Sequence, residues 1–242
     1  LAGCASSASS TAASASSTAA PAEKKEFTFA DTVRWDAQYD VVVMGMGAAG
    51  MVAAKTAADN GAKVVIVEKC EEGKAGGNTK VCGQLFAYAN GDKDAAKSYY
   101  TALAGGRDIE PEIIDAISEG VANMADILAD EFGFNKDEYM DWTGVNVGGT
   151  NMGAMSPEYP EMPGHEKMAL WTTHAGASDG YLYQGLKQNV TDRVDAIDVW
   201  YSSPAKSLIQ DPVTKTVVGV TVERDGKEMN IRALNGVCIC TG

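Results

Sequence analysis

An α/β fold built on a buried parallel sheet is predicted by three features of the sequence. Two short, continuous apolar runs, Tyr39–Met44 and Lys63–Val67, read as strands covered on both faces. Between them lie a glycine-rich turn and an alanine-rich segment, Met51 to Ala58, of good helix-forming composition. In the last third, Val217–Glu223 and Lys227–Arg232 alternate around Asp225-Gly226, which predicts a small antiparallel β-meander.

Composition narrows the classes. With 242 residues, 45% of them hydrophobic, the chain can bury a core, so wholesale disorder is excluded. Its 26 glycines follow no three-residue period, which excludes collagen. The formal charge of −13, with no Lys/Arg block, argues against a nucleic-acid partner. No run of 18 apolar residues occurs, so no helix long enough to cross a bilayer is expected.

The chain opens Leu1-Ala2-Gly3-Cys4, and residues 5–20 are all Ala, Ser or Thr. Such a stretch buries almost nothing and is expected to remain a disordered tether, so residues 1–34 are set apart from a folded part, 35–242. The first four residues resemble the lipobox of bacterial lipoproteins. That resemblance implies diacylglycerol on Cys4, export, and a body anchored to the outer face of a membrane by lipid alone. Cys70, Cys82, Cys238 and Cys240 form no Cys-x-x-Cys pair or haem-attachment motif. Cys238 and Cys240, two apart, share one face of an apolar strand as small core residues. With His165 and His174 as the two histidines, no metal site is expected.

The turn between the first two strands reads Gly45-Met-Gly47-Ala48-Ala49-Gly50, with Ala54, Gly61 and Glu68 following at spacings of four, seven and seven. Gly45 permits the tight turn, and Gly47 lets backbone N–H groups approach a pyrophosphate. Gly50 lets helix pack on strand, and the helix N-terminus favours negative charge. Glu68 ends the second strand, where a carboxylate accepts from both ribose hydroxyls and repels a ribose phosphate, which argues against NADP. This is a Rossmann-type dinucleotide fingerprint, and by itself it leaves FAD and NAD both open.

The next segment decides between them. After Glu68-Lys69, a loop of glycines and small polar residues replaces the helix of a simple dehydrogenase. Gly76-Gly77-Asn78-Thr79, with Cys82-Gly83 beyond it, resembles the flavin-binding loop of the fumarate reductase/succinate dehydrogenase flavoprotein family. That family includes soluble fumarate and urocanate reductases and 3-ketosteroid dehydrogenases. The resemblance covers Trp35 to Gly242 and implies FAD as cofactor. Asn78 stands where respiratory members carry a flavin-linked histidine, so non-covalent binding is implied. It also implies flavin contacts from Lys69, an adenine contact at Ala205, and a second dinucleotide-contact strand ending Thr241-Gly242.

The other elements fit this frame. Asp92–Ala104 and Glu110–Glu131 read as an inserted helical pair, with Pro111 in the first turn of the second helix. Its core face is assigned to Ile113, Ile114, Ile117, Val121, Met124, Ile127 and Leu128. Residues 133–176 show no clear period, and a helix is expected over Tyr181–Val194. His174 precedes that helix, where the resemblance allows a place beside flavin or substrate. Helices are expected on both faces of the sheet. In the family a capping domain follows the Thr-Gly motif and carries the catalytic acid and the substrate clamp, so this chain is expected to be truncated before it.

The resemblance and the lipobox together imply an exported FAD-dependent oxidoreductase. It would reduce the activated carbon–carbon double bond of a small unsaturated acid with electrons from a membrane or haem partner. A ketosteroid-type dehydrogenase is the alternative within the class. A surface lipoprotein that binds flavin without turnover is the alternative outside it.

Overall fold

The computed structural model of the chain describes residues 27–142, 146–147, 150–151, 158–175 and 179–242. Cys4 and the Ala/Ser/Thr stretch lie outside them. Residues 34–242 form one compact unit, and those before it belong to another. The described part of the latter is a 3-10 turn, Phe29–Thr32, where the Asp31 carboxylate accepts from the Thr28 N–H and hydroxyl at 2.9 Å each.

The apolar run around Val41–Val43 forms β1 (Ala37–Met44), and that before Glu68 forms β2 (Val64–Val67). They pair in parallel, joined by α1 (Ala48–Asp59). β2 pairs in parallel with β8 (Ile197–Trp200), and β1 with the long β11 (Lys227–Ile239). β11 also runs antiparallel to β10 (Val217–Arg224), which pairs antiparallel with β9 (Ala205–Gln210). The six-stranded order is β8-β2-β1-β11-β10-β9. The β10–β11 turn is Asp225-Gly226 as expected. Both residues have positive φ, 51° and 72°, the geometry of the two-residue hairpin that matches strand twist.

The strands alternate between two cores. Val43, Val64 and Ile66 pack with Met51 and Ala54 of α1 and with Leu182, Leu186 and Val190 of α5 (Tyr181–Thr191). Val42, Val65 and Val67 pack instead with Val220, Val222 and Ile231 of β10 and β11. The expectation of helices on both faces is therefore corrected. Among the described residues, the cluster on one face includes helix residues, and the cluster on the other is built from strand residues of this sheet. The chain's second apolar layer comes from alternating strands, whose inward valines do the burying that a helix stripe would otherwise do.

The inserted pair forms α3 (Lys93–Leu103) and α4 (Pro111–Asp130). Asp92 caps α3 by accepting from the Ala95 N–H at 2.9 Å, and Pro111 opens α4, where its missing N–H costs nothing. The buried stripe of α4 is Ile114, Ser118, Val121, Ala122, Ala125 and Leu128. Ile113 and Ile117, expected in the core, are 51% and 42% exposed.

A three-stranded antiparallel sheet falls partly within the stretch that showed no period. β3 (Leu85–Tyr88) and β4 (Met140–Asp141) flank β7 (Ala169–Thr172). The short ladders β5 (Asn146–Val147) and β6 (Thr150–Asn151) complete the strands.

Candidate functional site

β1, β2 and β11 end side by side, and β1 has its two neighbours on opposite sides. Ligands of open α/β sheets bind at this switch point, beyond the carboxyl ends of the strands. The chain leaves β1 through Gly45, whose N–H donates to Val67 O at 2.8 Å, while the Cys240 N–H donates to Met44 O at 2.9 Å. Gly45 has φ +99°, and a Cβ there would stand 2.6 Å from Cys240 O. A side chain is thus excluded by space and by backbone conformation. At Gly50 a Cβ would collide with Gly45 O, so the glycine lets α1 sit against the strand end.

Gly47 differs. A Cβ on it would meet nothing nearer than Thr79 Oγ1 at 3.7 Å and Gly76 O at 4.0 Å. It is the N-cap of α1 and offers no side chain to the helix N–H groups, and Ala49 beside it is exposed. The Ala48 N–H donates to Thr79 Oγ1 at 2.9 Å. Open space beside a helix N-terminus is what a pyrophosphate requires.

Glu68 is buried at the end of β2. One carboxylate oxygen accepts from the Met46 N–H at 2.9 Å and the other from the Cys70 N–H at 2.8 Å. Each oxygen keeps capacity for a further donor, such as a ribose hydroxyl. Ser203 lies alongside, its N–H donating to Glu68 O at 2.8 Å, which brings the start of β9 at Ala205 toward the acid. Lys69 is exposed.

The glycine loop forms a short helix, α2 (Gly77–Val81), on a left-handed N-cap, Gly76, at φ +118°. A Cβ at Gly76 would stand 2.8 Å from Tyr183 Cζ, so the loop's approach to α5 depends on this glycine. The Tyr183 hydroxyl donates to Ala75 O at 3.1 Å. Gly77, Asn78 and Cys82 are exposed, and Val81 is 77% exposed, so the loop presents an apolar edge and backbone rather than a packed face. The structure thus gathers Gly45, Gly47, Ala48, Gly50, Glu68, Gly76, Thr79 and the approach to Thr241 in one region, and Asn78, Cys82 and Gly83 follow on the same loop.

Gln84 is the site residue that sequence reading missed. It has φ +61°, is 1% exposed, and braces the loop through its amide. Nothing in Cys82-Gly-Gln-Leu marks it, because the partner that ties it to another element, Tyr183, lies 99 residues along the chain.

His174 lies at the end of β7 and connects to the loop through α5. Its ring stacks on Tyr181 at 4.1 Å between centroids, and Gly180 approaches Lys80 O, which a Cβ would meet at 3.8 Å. Nε2 of His174 pairs with Asp179 Oδ2 at 2.7 Å. The Tyr181 N–H, and then His174 itself, hold the Asp179 carboxyl below its ordinary range. Nδ1 of His174 is enclosed with no partner among the described residues. Thr173 Oγ1 beside it is likewise buried and unpartnered. Nearby, burial pushes the Tyr139 phenol up to about 12.

Residues 40–242 match the model of a family described as FAD binding domain. The chain belongs to that family. FAD is its cofactor, and the open cradle at Gly47, the α1 N-terminus and the acid at Glu68 fit it. The FAD-binding chain is 28% identical over 214 residues to NADH:fumarate oxidoreductase of Klebsiella pneumoniae, covering 84% of this chain and 20% of that relative. It is 40% identical over 86 residues to 3-oxosteroid 1-dehydrogenase of Mycobacterium tuberculosis, 33% of this chain and 15% of the relative. Its fold superposes on 3-ketosteroid delta1-dehydrogenase of Sterolibacterium denitrificans with a TM-score of 0.68 at 19% identity, covering 85% of this chain and 48% of that one. The chain therefore spans a fifth or less of these two curated relatives and about half of the solved structure.

Proposed function

We propose that this FAD-binding chain is part of an exported, lipid-anchored oxidoreductase that acts on CH–CH groups and reduces the activated double bond of a small unsaturated acid. The observation that carries the reading is the junction of the Gly76–Thr79 loop with the dinucleotide turn through Thr79 Oγ1 and the Ala48 N–H, 2.9 Å apart. It sets a ring-cradling loop directly on the phosphate-binding helix end. The FAD supplies hydride transfer, and the chain supplies binding, orientation and electrostatics. Glu68 holds the ribose end, the α1 N-terminus holds the pyrophosphate, and Gly76–Gly83 holds the ring by backbone contact. Asn78 offers a carboxamide and no nucleophile, so the FAD is held non-covalently. His174, held by its pair with Asp179, is the residue we place beside flavin or substrate. The electron donor is a membrane or haem partner. A lipid on Cys4 would hold the enzyme beside it.

Dehydrogenation of a ketosteroid-like substrate is the second reading, favoured by the 40% identity to the mycobacterial 3-oxosteroid 1-dehydrogenase. Stopped-flow reoxidation of the reduced protein by fumarate and urocanate, beside dye-linked oxidation of 3-ketosteroids, separates the two. Enoate reoxidation supports the first and steroid oxidation the second. A flavin-loaded protein that responds to neither overturns both. His174→Ala is expected to lower turnover at least tenfold with FAD affinity unchanged. Palmitate label on the wild type and none on Cys4→Ala is the expected result for the anchor, and an unlabelled wild type refutes it.

A further inference from the structure

Gln84 sits between the end of one helix and the start of another. α5 has Gly180 as its N-cap, with no side chain to satisfy the first N–H groups. Asp179 takes the Tyr181 N–H at 3.0 Å, and the Tyr183 N–H is left for Gln84 Oε1, which accepts it at 3.2 Å. At the other end, α2 is a single short turn whose last carbonyls have no following helix to bond. Gln84 Nε2 donates to Thr79 O at 2.8 Å and to Cys82 O at 3.1 Å. One buried amide therefore caps the C-terminus of α2 and the N-terminus of α5 together, with donor and acceptor each facing the helix end of matching polarity. The residue adopts a left-handed backbone, which L residues with a side chain rarely take, to reach both.

The bond to Thr79 O has a consequence at the phosphate turn. Thr79 is the residue whose hydroxyl receives the Ala48 N–H at the start of α1. Fixing the Thr79 backbone fixes that hydroxyl, and with it the distance between the flavin loop and the turn that holds the pyrophosphate. We propose that Gln84 is a positioning residue for FAD: it acts through Thr79 to hold the loop and the dinucleotide turn in one geometry before the cofactor arrives. A preorganised site loses less entropy on binding, so the residue sets affinity without touching the ligand. This rests on FAD binding and not on turnover, so failure of every substrate named above leaves it standing.

The test is FAD titration of the apo form of the intact protein, with thermal unfolding of each apo variant alongside. Gln84→Gly relieves the backbone and deletes the amide. Gln84→Glu keeps the volume and an acceptor for the Tyr183 N–H but loses the donor to Thr79 O and Cys82 O. Both are expected to weaken FAD about 10- to 100-fold, the ordering cost that a loosened loop adds to binding, and to shift the visible bands of the bound flavin. Thr79→Val should weaken FAD by a similar factor. The double variant Gln84→Gly/Thr79→Val should then be no weaker than the worse single variant by more than about twofold, because both changes break one connection. Wild-type FAD affinity in either folded Gln84 variant overturns the proposal. So do losses that multiply in the double variant, which would make Gln84 a local brace independent of Thr79.

Discussion

At Gly45 a methyl group would stand 2.6 Å from Cys240 O on a backbone with φ +99°. Gly45→Ala is expected to cost about 1–3 kcal/mol of stability and to abolish FAD binding, read by thermal unfolding and flavin titration. Glu68 fails in another way. Its two oxygens accept from Met46 and Cys70 N–H groups, so in Glu68→Gln an NH2 group must face one of these donors. FAD affinity should fall about 10- to 100-fold, with no gain in NADP binding, and wild-type affinity in a titration would refute the role. Both residues were legible in the sequence because their function rests on local spacing: turn, helix start and strand end lie within one βαβ unit. Gln84 was not, since its amide acts between elements almost a hundred residues apart. His174 falls between the two cases. Its place before a helix could be read, but its pairing with Asp179 and the enclosed Nδ1 could not.

The helices tell how far periodicity carries. The limits of α3 and α4 follow from Asp92, Pro111 and the apolar spacing, yet the apolar set assigned to α4 was too wide. An α-helix advances 100° per residue, so Ile114, Val121 and Leu128 share one line, whereas Ile113 and Ile117 lie on its flank. Leu128→Ala, in the main core beside Phe132 and Phe134, is expected to cost about 2–5 kcal/mol. Ile117→Ala should cost no more than about 0.5 kcal/mol. Equal losses in denaturant melts would mean that the helix packs on its other face. The strands divide likewise. β1, β2 and the β10–β11 hairpin announce themselves through apolar runs or a hairpin turn. β3 and β7 are four-residue strands whose pairing, Leu85 with Thr172 and Tyr88 with Ala169, spans more than eighty residues. Nothing local specifies it. The shared cluster of β1, β2, β10 and β11 valines was hidden for the same reason: alternation shows that one face of a strand is buried, but not against what.

At the scale of the whole molecule, the ionisable groups set a pH window. Asp59 is held below its ordinary range by Arg193 and Lys55, Asp115 by Lys97, Glu119 by Lys93, Asp179 by the Tyr181 N–H, and Asp211 by the Val213 and Thr214 N–H groups. Each carboxylate is ionised more readily folded than unfolded. Its contribution is therefore complete above the unfolded value of about 4 and is lost as pH falls below it. These groups are largely exposed, so each contributes little and the acid limb should be shallow. The alkaline limb involves tyrosines that are more deeply buried than these carboxylates and should be steeper. Burial, then the hydrogen bond to Asp198 at 2.5 Å, raises the Tyr39 phenol well above its ordinary range, and burial raises Tyr139 to about 12. An unfolded tyrosine ionises near pH 10 while the folded one remains neutral, so stability is complete below about pH 10 and falls as pH rises through the folded value. Melting temperature should thus be flat from about pH 5 to 9 and decline on both sides. Tyr39→Phe removes the group that separates the two states most on the alkaline side, so it should lower the plateau by the lost hydrogen bond yet flatten the fall above pH 10. An unchanged alkaline slope in Tyr39→Phe would show that Tyr39 ionises alike in both states and that the limb belongs to other groups.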